Sequence, residues 1–184
     1  KDMFEQLMNR LKEQESDLNN YTELFKEIAI APKTMLIKEG EISKNIYFVK
    51  KGCLRLWFNN QGKDITFQFF FENQAVSGLL GREPSIFTLE SIELSTIVIL
   101  KRTDFEILLK EIPEFKDGFL EIVLQRLENY SKLFLSRIKD KPQKRYEVLI
   151  KENPEIFQRV PQHYIASYLG ITSVSLSRIR NRKK

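Results

Sequence analysis

Between Thr34 and about Leu100 the chain is broken into short runs rich in β-branched and aromatic residues, each closed by a turn signal. No other feature restricts the fold as strongly. The runs are TMLI before KEGE, IYFV before KKG, CLRLWF before NNQGKD, ITFQFFF before ENQ, SIFTL before ESIEL, and then STIVIL. Runs recurring at roughly 8 to 12 residues predict a small antiparallel barrel or sandwich. Leu54, Leu56 and Phe58 alternate with Arg55 and Trp57, and Ile65, Phe67, Phe69 and Phe71 alternate with Thr66, Gln68 and Phe70. Side chains of a strand point alternately to its two faces, so one buried face per strand is expected.

The flanks have the helical period instead. Phe4, Leu7 or Met8, and Leu11 open the first thirty residues, and after Ser16 a second helical segment is predicted with Leu18, Tyr21, Leu24, Phe25 and Ile28 on one face, closed by Pro32. Thr103 and Glu106 have the spacing of a capping box that opens a helix through Leu108 and Leu109, and Pro113 interrupts it. From Glu114 to about Lys139 runs the longest helical pattern, with Phe115, Phe119, Ile122, Val123, Leu127, Tyr130, Leu133, Phe134 and Ile138 on one broad side. A helix of ~25 residues spans nearly ~40 Å, longer than a small barrel needs for cover, so its excess apolar face is expected to meet a second copy of itself. Asp140, Lys141 and Pro142 form a hinge, a short helix follows from Gln143 to Lys151, and Asn153-Pro154 leads to the last segment. The fold class expected is α+β, with divisions at 1–112, 113–140 and 141–184.

A chain of 184 residues, 42% hydrophobic and 30% charged, can bury one substantial core and a smaller second one. No apolar run approaches the roughly 18 residues of a membrane span, and KDMFEQLMNRLKEQE has no secretory apolar core, so a cytoplasmic location and no membrane partner are expected. The single cysteine, Cys53, and the single histidine, His163, are too few for a disulfide framework, an iron–sulfur cluster or a zinc site. Cys53 reads as a small core residue and His163 as an exposed helix residue or phosphate contact. A Gly-rich phosphate loop and a nucleophile elbow are both lacking from the sequence. No catalytic residue, no metal site and no cofactor are expected, and the chain is not expected to be an enzyme.

The stretch Gln162 to Arg180, QHYIASYLGITSVSLSRIR, has the spacing of a helix-turn-helix. Ile165 and Leu169 put an apolar stripe on a first helix, and Ala166 is small enough to let a second helix cross closely. Gly170 accepts the positive φ of a tight exit, Ile171 buries the turn, Thr172 can cap the next helix, and Leu176 and Ile179 face inward. Ser173, Val174, Ser175, Ser177 and Arg178 then point outward, suited to base edges in a major groove, while Arg180, Arg182, Lys183 and Lys184 are placed to hold phosphates. Two packed helices joined by a Gly turn are the plainer alternative, and charge weighs against it. Residues 141–184 carry ten Lys or Arg against three Asp or Glu, a net +7; the whole chain is +5, so the first 140 residues stand at −2. Such asymmetry is expected when one module meets a polyanion.

With a β-rich part, a long helix and a C-terminal helix-turn-helix in that order, the chain resembles, over nearly its whole length, the catabolite activator and fumarate–nitrate regulator (Crp/Fnr) family of bacterial transcription regulators. The resemblance rests on KEGEISKNIYFVKKGCLRL, with Gly40 and Gly52 at turns flanking Ile46 to Val49, and on IASYLGIT and LSRIR. It looks most like the group common in Bacteroidetes-type bacteria. The resemblance implies a cyclic-nucleotide-binding-type jelly-roll sensor with flanking helices over 1–112, a dimerisation helix over 113–140 and a helix-turn-helix domain over 141–184.

Departures from the family pattern bear on the effector. Members that bind cyclic AMP use a Gly-Glu pair and a later Arg-Ser or Arg-Thr pair; here the matching stretch is SGLLGREPS, with Gly78 at the glycine, Leu79 where the glutamate is expected, and Pro84 before Ser85 where the arginine is expected. A buried cyclic phosphate would lose its bidentate guanidinium contact, for which Arg82 is the one nearby substitute. The pocket at Gly78, Leu79, Arg82, Pro84 and Ser85 is therefore expected to be empty or tuned to a small effector other than cyclic AMP. The iron–sulfur and haem branches lack their ligands here. In the recognition helix, relatives often carry an acid after the cap; Ser173 and Val174 stand there instead, so a different target is expected. The chain is thus expected to be a homodimeric, sequence-specific regulator on double-stranded DNA with a pseudo-palindromic operator, and with RNA polymerase as a further partner. A ligand-sensing or protein-interaction module with a vestigial DNA-binding head is the alternative.

Overall fold

The β-rich runs pair with one another. A computed structural model describes residues 3–13, 20–77 and 83–181. Its strands are β1 (Lys26–Ile30), β2 (Met35–Ile37), β3 (Asn45–Lys51), β4 (Leu54–Asn60), β5 (Lys63–Phe70), β6 (Ala75–Ser77), β7 (Thr88–Ser91) and β8 (Ser95–Lys101). They form two four-stranded antiparallel sheets, ordered β1-β8-β3-β6 and β2-β7-β4-β5. This is an α+β fold built on a jelly-roll double sheet.

Alternation along the strands decides what each face touches. Between the sheets, Tyr47, Val49, Leu54, Leu56, Leu89 and Ile97 form one core. On the outer side of the first sheet, Ile46, Phe48, Val98 and Leu100 pack against Leu7 and Leu11 of α1 (Met3–Glu13) and Phe105 and Leu108 of α2 (Arg102–Glu111). The outer side of the second sheet is covered as well. There Phe69 and Cys53 share a core with the C-terminal helices α4 (Pro142–Glu152), α5 (Ile156–Arg159), α6 (Gln162–Leu169) and α7 (Ser173–Asn181). Burial pushes the Cys53 thiol up, as suits a packed side chain.

Three expectations are corrected. The second N-terminal helix is a 3₁₀ turn at Tyr21–Leu24 followed by strand β1, whose Lys26 to Ile30 pair with Ile99 to Ser95 of β8. Backbone pairing to a waiting sheet edge outweighs a weak helical pattern. Thr103 does not cap α2: the helix begins at Arg102, Lys101 is its cap, and Glu106 instead accepts from Arg102 Nε at 3.1 Å. The face of β4 opposite the inter-sheet core is also not solvated at Arg55, which is only 1% exposed.

Helix α3 (Pro113–Lys139) starts on a proline, whose missing N–H costs nothing in a first turn. Its apolar residues divide between two faces. Phe115 is buried and Phe119 packs beside it, while Leu120, Leu124, Leu127, Phe134 and Ile138 are exposed by 53% to 69%.

Two glycines at positive φ separate steric need from turn preference. At the β4–β5 hairpin, Gln61 and Gly62 both have positive φ, the geometry of a two-residue hairpin turn, and a Cβ on Gly62 would meet nothing within 4 Å. Gly52, at φ +105, would drive a Cβ to 2.7 Å from Ser95 Cα. Gly62→Ala should therefore cost about 1 to 2 kcal/mol, the ordinary penalty of a left-handed residue, and Gly52→Ala about 2 kcal/mol more because backbone must move. Urea unfolding of the two variants checks this; equal losses would contradict it.

Candidate nucleic-acid interface and effector region

Helix α6 ends where glycine permits it. Gly170 adopts φ +68, its N–H donates to Ser167 O at 3.0 Å, and Ile171 N–H donates to Ala166 O at 3.0 Å. These bonds satisfy carbonyls left open by the last turn. Arg145 of α4 adds a bond from Nη2 to Leu169 O at 2.7 Å. Two residues on, Thr172 Oγ1 accepts from Ser175 N–H at 3.1 Å and opens α7. Ile165, Ala166, Leu169 and Leu176 are buried between the two helices and the rest of the core, and Ile171 is partly buried against them.

The proposed reading residues are then sorted by what holds them. Ser173, Val174 and Arg178 are exposed, Val174 by 61%. Val174 and Arg178 are four apart and so share one face of α7. Among the described residues Arg178 has no ion-pair partner. Ser175 is committed to the cap, since it also accepts from Thr172 Oγ1 at 3.1 Å, and Ser177 is half-buried. Arg180 is held in place: Nη1 donates to Gln162 Oε1 at 3.2 Å and the guanidinium lies 4.2 Å from the Phe157 ring centre. Gln162 also donates to Ser173 O at 3.4 Å, so one side chain on α6 ties both ends of α7. Arg182 and Lys183 lie outside the described residues.

These helices are docked on the roll by polar contacts as well as by the shared core. Ser167 Oγ accepts from Thr66 N–H at 2.9 Å and donates to Asp64 O at 3.1 Å, occupying the free edge of β5. Arg55, on the outer face of the second sheet, donates from Nη1 to Glu90 at 2.8 Å and from Nε to Thr66 Oγ1 at 2.9 Å, and the Tyr164 ring of α6 lies 3.8 Å over it. Arg159 of α5 donates to both Glu72 oxygens, at 2.7 and 3.0 Å, and to Glu93 at 2.6 Å. Donating to Glu72 raises the Arg159 guanidinium pKa above its ordinary value. For Glu72, burial works upward, but the bonds from Arg159 and from Gly52 N–H outweigh it and hold the carboxyl below the usual range. Sequence spacing does not show this clasp, because its three charges are far apart in the chain.

In the effector region, Gly78, Leu79 and Arg82 lie outside the described residues. Pro84 is exposed, and Ser85 is buried with its hydroxyl donating to Phe87 O at 2.7 Å. Ser85 also joins the β2–β3 loop, accepting from Gly40 N–H at 2.7 Å and donating to Glu41 O at 2.9 Å. A residue not singled out from sequence lies beside the neighbouring strand: Arg126 of α3 donates to Ala75 O of β6 and sits 5.5 Å from the Phe70 ring centre. Burial lowers its pKa, and among the described residues no carboxylate pairs with it. Its position four residues from both Ile122 and Tyr130, within the packed stripe, was the available signal.

Residues 27–111 match the family model of the cyclic nucleotide-binding domain. Comparison with curated proteins gives no significant match. Among solved structures, FixK2 from Bradyrhizobium japonicum is similar with a TM-score of 0.76 at 16% identity, over 86% of this chain and 83% of that one. A CooA mutant from Carboxydothermus hydrogenoformans gives 0.67 at 19% identity, over 92% and 80%. The c-di-GMP responsive global regulator CLP from Xanthomonas campestris gives 0.69 at 12% identity, over 88% and 89%. The likeness is one of fold, and it extends beyond the β-roll to most of the chain.

The clasp has a pH signature. A carboxyl whose folded pKa is depressed contributes stability that is complete above its ordinary value, about 4.5 for Glu72, and that is lost as pH falls through the lower folded value. Glu72→Gln should therefore be less stable than the wild type near neutral pH, and the gap should narrow as pH is lowered below about 4.5. Denaturant melts across that range test it; a gap independent of pH would remove the clasp as its cause.

Proposed function

We propose that the chain is a homodimeric, sequence-specific DNA-binding transcription regulator, with α6 and α7 as a helix-turn-helix. The observation that carries this reading is the outward face of α7. Val174 and Arg178 stand exposed on a helix whose start, end and inner side are each anchored by Thr172, Gln162 and Leu176. An unpaired guanidinium on a fixed helix can make a bidentate contact to a guanine edge, and Val174 can meet a thymine methyl. The divisions follow as a sensor roll over 1–112, a dimerisation helix over 113–140 and a DNA-reading head over 141–184.

The dimer is supported by the exposed face of α3. Leu120, Leu124, Leu127, Ser131, Phe134 and Ile138 recur at alternating spacings of four and three, the heptad pattern of a two-helix seam. Apart from Ser131 these are large apolar side chains that α3 leaves exposed, with Val123 and Leu135 exposed beside them. Pairing two helices here would relate two heads by a two-fold axis and favour a pseudo-palindromic operator with half-sites about 34 Å apart. The roll is read as the sensor of a small effector other than cyclic AMP, because Leu79 and Pro84 occupy the places where the nucleotide's partners are expected.

Selection from a random duplex pool should enrich a palindrome. On that site Arg178→Ala should lose about 1 to 3 kcal/mol of specific binding and relax preference at one base pair per half-site. Equal losses on specific and random duplexes would remove Arg178 as a base-reading residue, and an unenriched pool would favour a head that no longer reads DNA. Leu127→Asp places a charge in the seam of both protomers and should weaken the dimer by roughly a hundredfold, seen as monomer mass in sedimentation at micromolar concentration. A variant that stays dimeric would place the interface elsewhere.

A further inference from the structure

A cleft of about 360 Å³ lies between β5, α3, α4 and α6. Its lining does not include Pro84 or Ser85 of the effector region. Phe69, Leu133 and Tyr168 give it apolar walls, and Lys132, Arg137 and Arg145 bring three cations against one acid, Glu152. Lys132 is already paired with Glu128. The two guanidinium groups are not neutralised in this way. Among the described residues, Arg137 Nη2 hydrogen-bonds only to backbone carbonyls, Phe67 O at 3.3 Å and Tyr168 O at 3.4 Å. Arg145 donates to Leu169 O, its Nε is buried without a partner, and no carboxylate lies within ion-pair distance of either arginine among the described residues.

We infer that this cleft is a binding site for a small organic anion, a carboxylate or phosphate ester carried on an apolar or aromatic body. A guanidinium beside apolar walls attracts an anion more strongly than it would in open water, and the planar fork suits a carboxylate or phosphate. The volume lies at the lower end of small-molecule sites, which limits the ligand to a compact metabolite. Such a ligand touches the roll through β5, the long helix through α3 and the C-terminal helices through α4 and α6 at once. It therefore favours the docked arrangement over any in which those parts separate. Control of DNA binding by this ligand rests on the reading of the chain as a DNA-binding regulator; the binding itself does not.

The probe is anilinonaphthalene sulfonate, a compact aromatic anion whose fluorescence rises on leaving water, added to the full chain without DNA. One saturable site per chain is expected. Arg137→Gln should weaken it roughly tenfold, the loss of one charge-assisted contact. Asn129→Trp, which fills the cleft from α3, should abolish it, with circular dichroism showing both variants folded. Benzoate should displace the probe and the neutral benzamide should not. The site is overturned if the wild type shows no saturable binding, if both folded variants bind as the wild type does, or if benzamide competes as well as benzoate. Operator binding is measured separately on the wild type, so failure of the anion site and failure of the DNA-binding reading give different results.

Discussion

The outer face of the β2-β7-β4-β5 sheet cannot stand in water as it is built, and the placing of the C-terminal helices depends on that. Phe69 and Cys53 are apolar and buried there, and Arg55 lies among them with its charge directed at Glu90 rather than at solvent. A buried ion pair is held at a desolvation cost, and it persists where geometry and further contacts offset that cost. Tyr164 supplies one such contact by covering the guanidinium from α6. Arg159, reaching Glu72 and Glu93, closes the rim of the same interface. Roll and C-terminal helices are thus joined by one continuous core and not by the Asp140 to Pro142 connection alone.

This docking leaves two surfaces free. One is the face of α7 bearing Val174 and Arg178; the other is the leucine-rich side of α3. Because α3 also packs on the roll through Phe115 and Phe119, the angle between the two free surfaces is set by packed side chains, which have few alternative arrangements. A change at the roll can reach α7 only by shifting elements that share this core. The cleft beside Arg137 and Arg145 lies at their junction.

Much of the fold was legible in the chain because it is locally encoded. Turn residues bounded most strands, the helical period marked α3, and Gly170 with Thr172 marked the close of α6 and the start of α7, each through bonds within a few residues. The misreadings have a common cause. Lys26–Ile30 became a strand because β8 offered a partner about seventy residues away, and Arg55 was expected on a wet face because alternation cannot show what covers a sheet. Arg126 was passed over because a charge inside an apolar stripe gains meaning only when its surroundings are known.

By itself, the sequence determined the order of most elements, the basic character of residues 141–184 and the spacing that lets α6 cross α7, since these depend on side-chain size, backbone preference and charge along a short stretch. Only the tertiary structure decided which charges are neutralised and which are not. Arg55 and Arg159 meet carboxylates brought from distant strands and loops, while among the described residues Arg126, Arg137 and Arg145 meet none. The physical reason is that an ion pair requires its partners within about 4 Å, a distance that folding sets between residues the sequence keeps far apart.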